Sequence, residues 1–292
     1  MCTTGSAWLL PYVRRASRTS LSTTRVLICR TAVTTYNNKS MIFGKAKILR
    51  SHGWQYIPDL YSVTLTEEFR GFPLLTESDD KSDIERAAKI CPTKAITTAP
   101  FTLDMGRCLF CGECQKCAPR NIKFTNEHRL AATRREDLVV EAGQTAPKFD
   151  TSAIRPEIAK YFGKALQLRE VSAGGDASIE MELGATGNVN FDFGRYGVGF
   201  TASPRHADGL VLTGPISSNM AEALDICYNS IAEPKILVVC GSEAVSGGLY
   251  ADSPAVDRKF LDKYHVDLWL PGAPTHPLCF IEGITKLRAK KK

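Results

Sequence analysis

Short, unbroken apolar runs punctuate the carboxyl-terminal half of the chain at residues 209–213 (GLVLT), 235–240 (KILVVC) and 266–270 (VDLWL). Runs of this length without polar alternation mark strands buried on both faces, as in a parallel sheet. Residues 219–232 (NMAEALDICYNSIA) and 277–289 (PLCFIEGITKLRA) instead carry apolar side chains at helical spacing. A further helix is predicted from Arg155 through RPEIAKYFGKALQLREV, with Ile158, Tyr161, Phe162, Ala165, Leu166 and Leu168 near one face. Strands alternating with helices predict a doubly wound, flavodoxin-like α/β domain over residues 155–292, with functional loops beyond the carboxyl ends of its strands. Ahead of it, residues 122–140 carry a short strand and a charged stretch, and the small and polar residues that follow predict a linker over 141–154.

With 292 residues, 43% of them hydrophobic, the chain can fill two ordinary cores. It has no run of 18 apolar residues, so no transmembrane helix is expected. The formal charge of +6 is concentrated at the front. The first 58 residues hold nine Lys or Arg and no acidic residue; beyond them 28 Lys and Arg face 31 Asp and Glu, a net of −3. Ser, Thr and Arg enrichment over residues 1–40 is the composition of a mitochondrial transit peptide, with a basic nucleic-acid-binding tail as the competing reading. The expected location is therefore mitochondrial, in the matrix or on the matrix side of the inner membrane. Without its leader the chain has no basic excess for direct contact with nucleic acid. Its cysteines, scattered apart from one dense loop, fit a reducing compartment better than a disulfide framework.

Four of those cysteines carry the candidate chemistry. Cys108, Cys111 and Cys114 stand at successive three-residue steps, and Cys91 precedes Pro92. Three thiolates from one tight loop with a fourth from a remote Cys-Pro form the ligand pattern of a 4Fe-4S cluster. Paired CxxC also binds structural zinc, but the third cysteine and the remote Cys-Pro favour iron and sulfur. The stretch resembles half of a bacterial-type, two-cluster ferredoxin. That resemblance implies an α+β ferredoxin-like domain over residues 41–140, holding one 4Fe-4S cluster on Cys91, Cys108, Cys111 and Cys114. Ligands of a second cluster would fall at Lys81, Ile84, Ala87 and Ala118, none of them a thiol, so that cluster is expected to be absent. Cys117, displaced by one position, is expected to ligate nothing.

A second resemblance covers residues 165–288. It is carried by residues 202–208 (ASPRHAD), by 212–215 (LTGP), by Ser246-Gly247-Gly248, and by Val266-Asp267 with Pro271-Gly272 and Pro274. In order and spacing these are similar to the 20 kDa, cluster-bearing small subunit of NADH:ubiquinone oxidoreductase (complex I) and of membrane-bound nickel-iron hydrogenases, including formate hydrogenlyase. Residues 180–186 (EMELGAT) place the chain nearer the hydrogenase branch. The family's own 4Fe-4S cluster sits on four cysteines, whose matching positions here are Asp176, Ile179, Glu243 and Ala273. This cluster is therefore expected to be lost, with Ile179 filling part of its space. Asp176 and Glu243 are hard oxygen donors, suited to magnesium, calcium or manganese, but two carboxylates with an isoleucine and an alanine make an incomplete site.

Other polar residues carry blander expectations. Cys227, Cys240 and Cys279 are predicted to be small buried hydrophobes. His276 is predicted to cap the last helix, which starts at Pro277. Arg205 and His206 are expected to bond within their loop or to a partner subunit. Residues 241–248 (GSEAVSGG) lack the pattern of a phosphate-binding loop. The resulting expectation is a mitochondrial iron-sulfur electron-transfer subunit that is not catalytic by itself, partnered by protein subunits such as a complex I or hydrogenase large-subunit-like protein. The alternative is a structural or assembly component of a mitochondrial complex, complex I or the mitoribosome, with the cluster stiffening its amino-terminal domain.

Overall fold

The computed structural model describes residues 38–53, 56–79 and 81–289. The expected leader lies outside the described residues as far as position 37. Two compact units are present, residues 1–53 and residues 54–292. In the first, Asn38–His52 forms a helix, α1.

The second unit begins with short elements in the order strand, helix, strand, strand, helix, strand. These are β1 (Pro73–Leu75), α2 (Ser82–Ile90), β2 (Ile96–Thr98), β3 (Phe101–Asp104), α3 (Glu113–Cys117) and β4 (Ile122–Phe124), followed by β5 (Val139–Glu141). β1 and β4 pair antiparallel, and β2, β3 and β5 form a second antiparallel sheet. α2 buries Ile84 and Ala87, and it stops at Cys91 because the residue before Pro92 is sterically pushed out of helical geometry. Ile84, Ala87 and Ala118, three of the positions where ligands of a second ferredoxin cluster would fall, are all core residues. Apolar packing occupies them.

The rest of this unit is built on a parallel sheet. In chain order come α4 (Pro156–Phe162), β6 (Leu166–Ser172), α5 (Ser178–Ala185), β7 (Val198–Phe200), β8 (Gly209–Thr213), α6 (Ser218–Asn229), β9 (Ile236–Cys240), α7 (Ser242–Ser246), α8 (Lys259–Lys263), β10 (Leu268–Leu270) and α9 (Pro277–Arg288). The strand order is β10-β9-β8-β6-β7, parallel throughout. It is the flavodoxin-like order, in which the chain leaves β6 for one side and resumes on the other, so the carboxyl ends of β6 and β8 flank a crevice. β8 and β9 are buried at every residue, as their unbroken apolar runs predict.

One predicted helix is only half helical. From Arg155 the helix ends at Phe162, and residues 166–172 form β6 at the heart of the sheet. A Cβ on Gly163 would stand 2.6 Å from the Ala159 carbonyl oxygen, so this glycine lets the chain leave the helix tightly. Beyond it Leu166 and Leu168 are buried around an exposed Gln167, a two-residue period that competes with the helical one. Pairing with β7 and β8 decides in favour of the strand.

Helix α9 packs against both halves of this unit. Gly283 lies so close that a Cβ there would meet Ala131 Cβ at 2.8 Å and Leu270 Cδ2 at 2.9 Å. The segment carrying Ala131 also bonds to β10: Ala132 N–H donates to the Trp269 carbonyl at 2.9 Å, and Trp269 N–H donates back at 2.8 Å. On the other edge of the strand, buried Asp267 takes two bonds from Arg155, at 2.7 and 3.0 Å, and one from the Leu237 amide at 2.9 Å. Gly283→Val is expected to cost about 1–3 kcal/mol through overpacking, measurable as a lower midpoint in denaturant; an unchanged midpoint would contradict the close approach.

Candidate metal centre

The loop after β3 and the end of α2 bring four thiols to one place. Cys108 and Cys111 lie in the loop, Cys114 in α3, and Cys91 at the end of α2; together they line a cavity of about 20 Å³ walled by Ile96, Leu103 and Phe124. Two left-handed residues shape the loop, Phe110 with φ 51° and Gly112 with φ 80°. Arg70 steadies it by donating from Nε to the Phe110 carbonyl. Backbone amides are aimed at sulfur: Ala95 N–H donates to Cys91 Sγ at 3.3 Å and Phe110 N–H to Cys108 Sγ at 3.2 Å.

Cys108 and Cys114 are buried, Cys91 is half-buried and Cys111 is exposed. Burial, followed by the neighbouring thiols, pushes Cys114 up to about 11 and Cys108 higher still. Such a cavity holds thiolates only if positive charge is placed among them. Soft sulfur donors, apolar walls and N–H groups directed at sulfur fit an iron-sulfur centre in chemical character. Among the described residues, no three His, Cys, Asp or Glu side chains are drawn together as tightly as a single bound ion would need. Cys117, at the end of α3, does not line the cavity; its carbonyl accepts a bond from Arg86 at 2.9 Å.

The second set of candidate positions lies at the carboxyl ends of the parallel strands. Asp176 follows β6, where it accepts the Ser178 amide at 2.9 Å, and Glu243 lies in α7 just beyond β9. Asp176 and Glu180 both bear on Glu243, and burial, ahead of these charges, raises its pKa; its Oε2 is buried without a hydrogen-bond partner. Ile179 is 3% exposed and fills the space over Gly241, where a Cβ would overlap its Cδ1. Asp176, Ile179 and Glu243 are thus neighbours, and Ala273 sits on the loop after β10, exposed at the rim of a separate cavity of about 190 Å³. Two carboxylates, an apolar plug and a methyl group do not fit an iron-sulfur cube.

The two places are physically joined. Ser242, beside Glu243 and fully buried, donates from Oγ to the Cys108 carbonyl at 2.6 Å. Nothing in the sequence marks Ser242 as a contact of the cysteine loop, because the bond spans 134 residues. A carboxyl pair also escapes sequence inspection. Glu180 accepts the Thr213 hydroxyl at 2.6 Å, and Glu170 on β6 is pushed up to about 7 by burial and then by Glu180.

His276 caps α9 as expected, its Nδ1 accepting the Leu278 amide at 3.2 Å. Cys240 and Cys279 are buried, but Cys227 is half-buried, because α6 turns only part of that face inward. Arg205 and His206 are exposed in a single 3-10 turn before β8.

Comparison with known proteins adds the following. Residues 177–287 match the family model described as NADH ubiquinone oxidoreductase, 20 Kd subunit. One NADH-quinone oxidoreductase subunit from Heliobacterium modesticaldum is 38% identical over 117 residues, which are 40% of this chain and 67% of that protein. Among solved structures, a chain of the membrane-bound sulfane sulfur reductase, an archaeal respiratory membrane complex, aligns with a TM-score of 0.40 at 27% identity, covering 46% of this chain and 73% of that one.

Two outcomes are expected at the carboxyl ends of the strands. Ile179→Ala opens a cavity and should lower stability by about 2–5 kcal/mol, seen in equilibrium unfolding; a loss within error would show that Ile179 does not fill the space. Glu170, raised from the usual 4.5 to about 7, keeps its proton in the folded chain over a range where the unfolded chain has released it. Stability from this group is therefore intact below that window and lost as pH rises through it. Glu170→Gln should flatten the fall in Tm between those limits; parallel pH profiles for the two proteins would show that Glu170 titrates normally.

Proposed function

This chain belongs to the 20 kDa subunit family of NADH ubiquinone oxidoreductase, and from that premise we propose that it is an iron-sulfur electron-transfer subunit carrying one 4Fe-4S cluster on Cys91, Cys108, Cys111 and Cys114. The observation that carries this reading is the lining of one cavity by four thiols with ferredoxin spacing. The element order around them, β1-α2-β2-β3-α3-β4, supports a ferredoxin-type domain over residues 41–140, joined by 141–154 to the α/β domain of 155–292.

When bound, such a cluster takes up and returns one electron at a potential set by hydrogen bonds to sulfur, charge and exposure. The chain's own residues define its surroundings. The Ala95 and Phe110 amides donate to two of the sulfurs, Ile96, Leu103 and Phe124 keep water from the buried side, and exposed Cys111 marks the face through which an electron enters or leaves. Onward passage through the family's other position lacks thiolates, since Asp176, Ile179, Glu243 and Ala273 stand there.

The relative's name supports assembly with other subunits of a respiratory-type complex, and a large-subunit-like protein is the partner we propose. No helix among the described residues is long and apolar enough to cross a membrane. The basic, Ser- and Thr-rich first 40 residues support a mitochondrial location. The plugged second site favours one alternative, a structural or assembly subunit whose cluster stiffens the amino-terminal domain.

Purified protein should contain roughly four irons per chain, as one cube requires, and Cys111→Ala should lose them while Cys240→Ala retains them. A count of about eight, or full iron in the Cys111 variant, would defeat the assignment. Redox titration followed by electron paramagnetic resonance then separates the two roles: reversible reduction supports the carrier, and an inert cluster supports the scaffold.

A further inference from the structure

Ser242 opens α7, and a serine at the start of a helix commonly bonds to nearby backbone groups of its own segment. Here no side chain caps α7, and the Ser242 hydroxyl has two carbonyls in reach, Cys108 at 2.6 Å and Gly272 at 3.2 Å. The single hydroxyl proton goes to Cys108, which is nearer, while Gly272 already receives the Ser242 amide at 2.8 Å. No other group among the described residues donates to the Cys108 carbonyl. Cys108 is 7% exposed and Ser242 fully buried, so water does not readily replace this bond.

The bond acts on a strained turn. Phe110 adopts φ 51°, a left-handed conformation that a bulky residue keeps only where its surroundings impose it. Three contacts do so. Cys108 N–H donates to the Asp104 carbonyl at 3.0 Å, Ser242 holds the Cys108 carbonyl, and Arg70 Nε holds the Phe110 carbonyl. Between these anchors the Phe110 amide is aimed at Cys108 Sγ, 3.2 Å away. Ser242 is itself anchored: beyond its amide bond to Gly272, Gly241 N–H donates to the Leu270 carbonyl at 2.8 Å and Ser246 Oγ to the Ser242 carbonyl at 2.8 Å. Amide bonds to sulfur stabilise the added electron of a reduced iron-sulfur centre and so raise its potential.

We propose that Ser242 is a positioning residue for the cluster, locking the Cys108–Phe110 turn so that the Phe110 amide stays on the Cys108 sulfur. Resting on the four-thiol reading, this role makes the α/β half a determinant of the potential rather than a passive wall. Three variants of the full chain test it: Ser242→Ala; Ser242→Thr, which keeps the hydroxyl; and Ser246→Ala, which removes a side-chain bond from the same helix without touching the cysteine loop. Visible circular dichroism reads the surroundings of the cluster in either redox state, and redox titration reads its potential. Ser242→Ala should change the dichroism and lower the midpoint potential, Ser242→Thr should return both towards those of the unaltered protein, and Ser246→Ala should lower Tm alone.

A further readout needs no cluster. In metal-free protein the peptide covering residues 108–112 should exchange its amide hydrogens about tenfold faster in Ser242→Ala. Iron lost from Ser242→Ala and regained in Ser242→Thr also supports the role. Iron missing from the unaltered protein defeats the four-thiol reading itself. Iron present, with dichroism, potential and exchange all unmoved by Ser242→Ala, overturns only the positioning role. Equal shifts in Ser246→Ala overturn it too, as a general softening of α7.

Discussion

Helix α9 is buried at ten of its twelve residues, and much of the architecture follows from that. A helix apolar on all sides needs cover on all sides. The sheet supplies one wall through Leu268 and Leu270, and the segment around Ala131 supplies another. Phe280, Ile281, Ile284 and Leu287 are each worth about 1.5–3 kcal/mol on burial. The cysteine-bearing half therefore serves as a wall of the α/β core. Glu282, fully buried in the same helix, has Lys286 Nζ 2.6 Å away, but burial outweighs that charge and raises the carboxyl's pKa.

This shared core also fixes the geometry of the two candidate positions. The cysteine loop is held from one side by Arg70 and from the other by Ser242, the first residue of α7 beyond β9. A disturbance at the carboxyl ends of the strands thus reaches the Cys108 backbone through a single hydrogen bond. The two places differ in how they meet the cost of buried space and charge. Around the thiols the walls are apolar and the amides point at sulfur, leaving a centre that favours a cation. Around Glu243 the space is filled by Ile179, burial raises the pKa values of Glu243 and Glu170, and Glu180 accepts the Thr213 hydroxyl.

What could be foreseen from the residues alone was local in origin. The unbroken apolar runs of β8 and β9 specify buried parallel strands because no polar face is offered to water, and His276 before Pro277 specifies a helix start. The cysteine spacing specifies a set of soft donors because a tight loop can present three thiols only at such short intervals. The same local character misled where two periods overlap. Leu166 and Leu168 satisfy a helical face and a strand face at once, and only pairing with β7 and β8 chose between them. β5 went unseen in a charged stretch because its three residues become a strand only through β3.

By itself, then, the sequence determined the periodicities and the soft-donor spacing. Tertiary structure alone decided that Ile179 plugs the space over Gly241, that Glu170 lies against Glu180, and that Ser242 tethers the cysteine loop. The physical reason is range. Backbone preference and side-chain periodicity act over a few residues, whereas charge pairing and the filling of volume depend on which distant segments the packed core brings into contact.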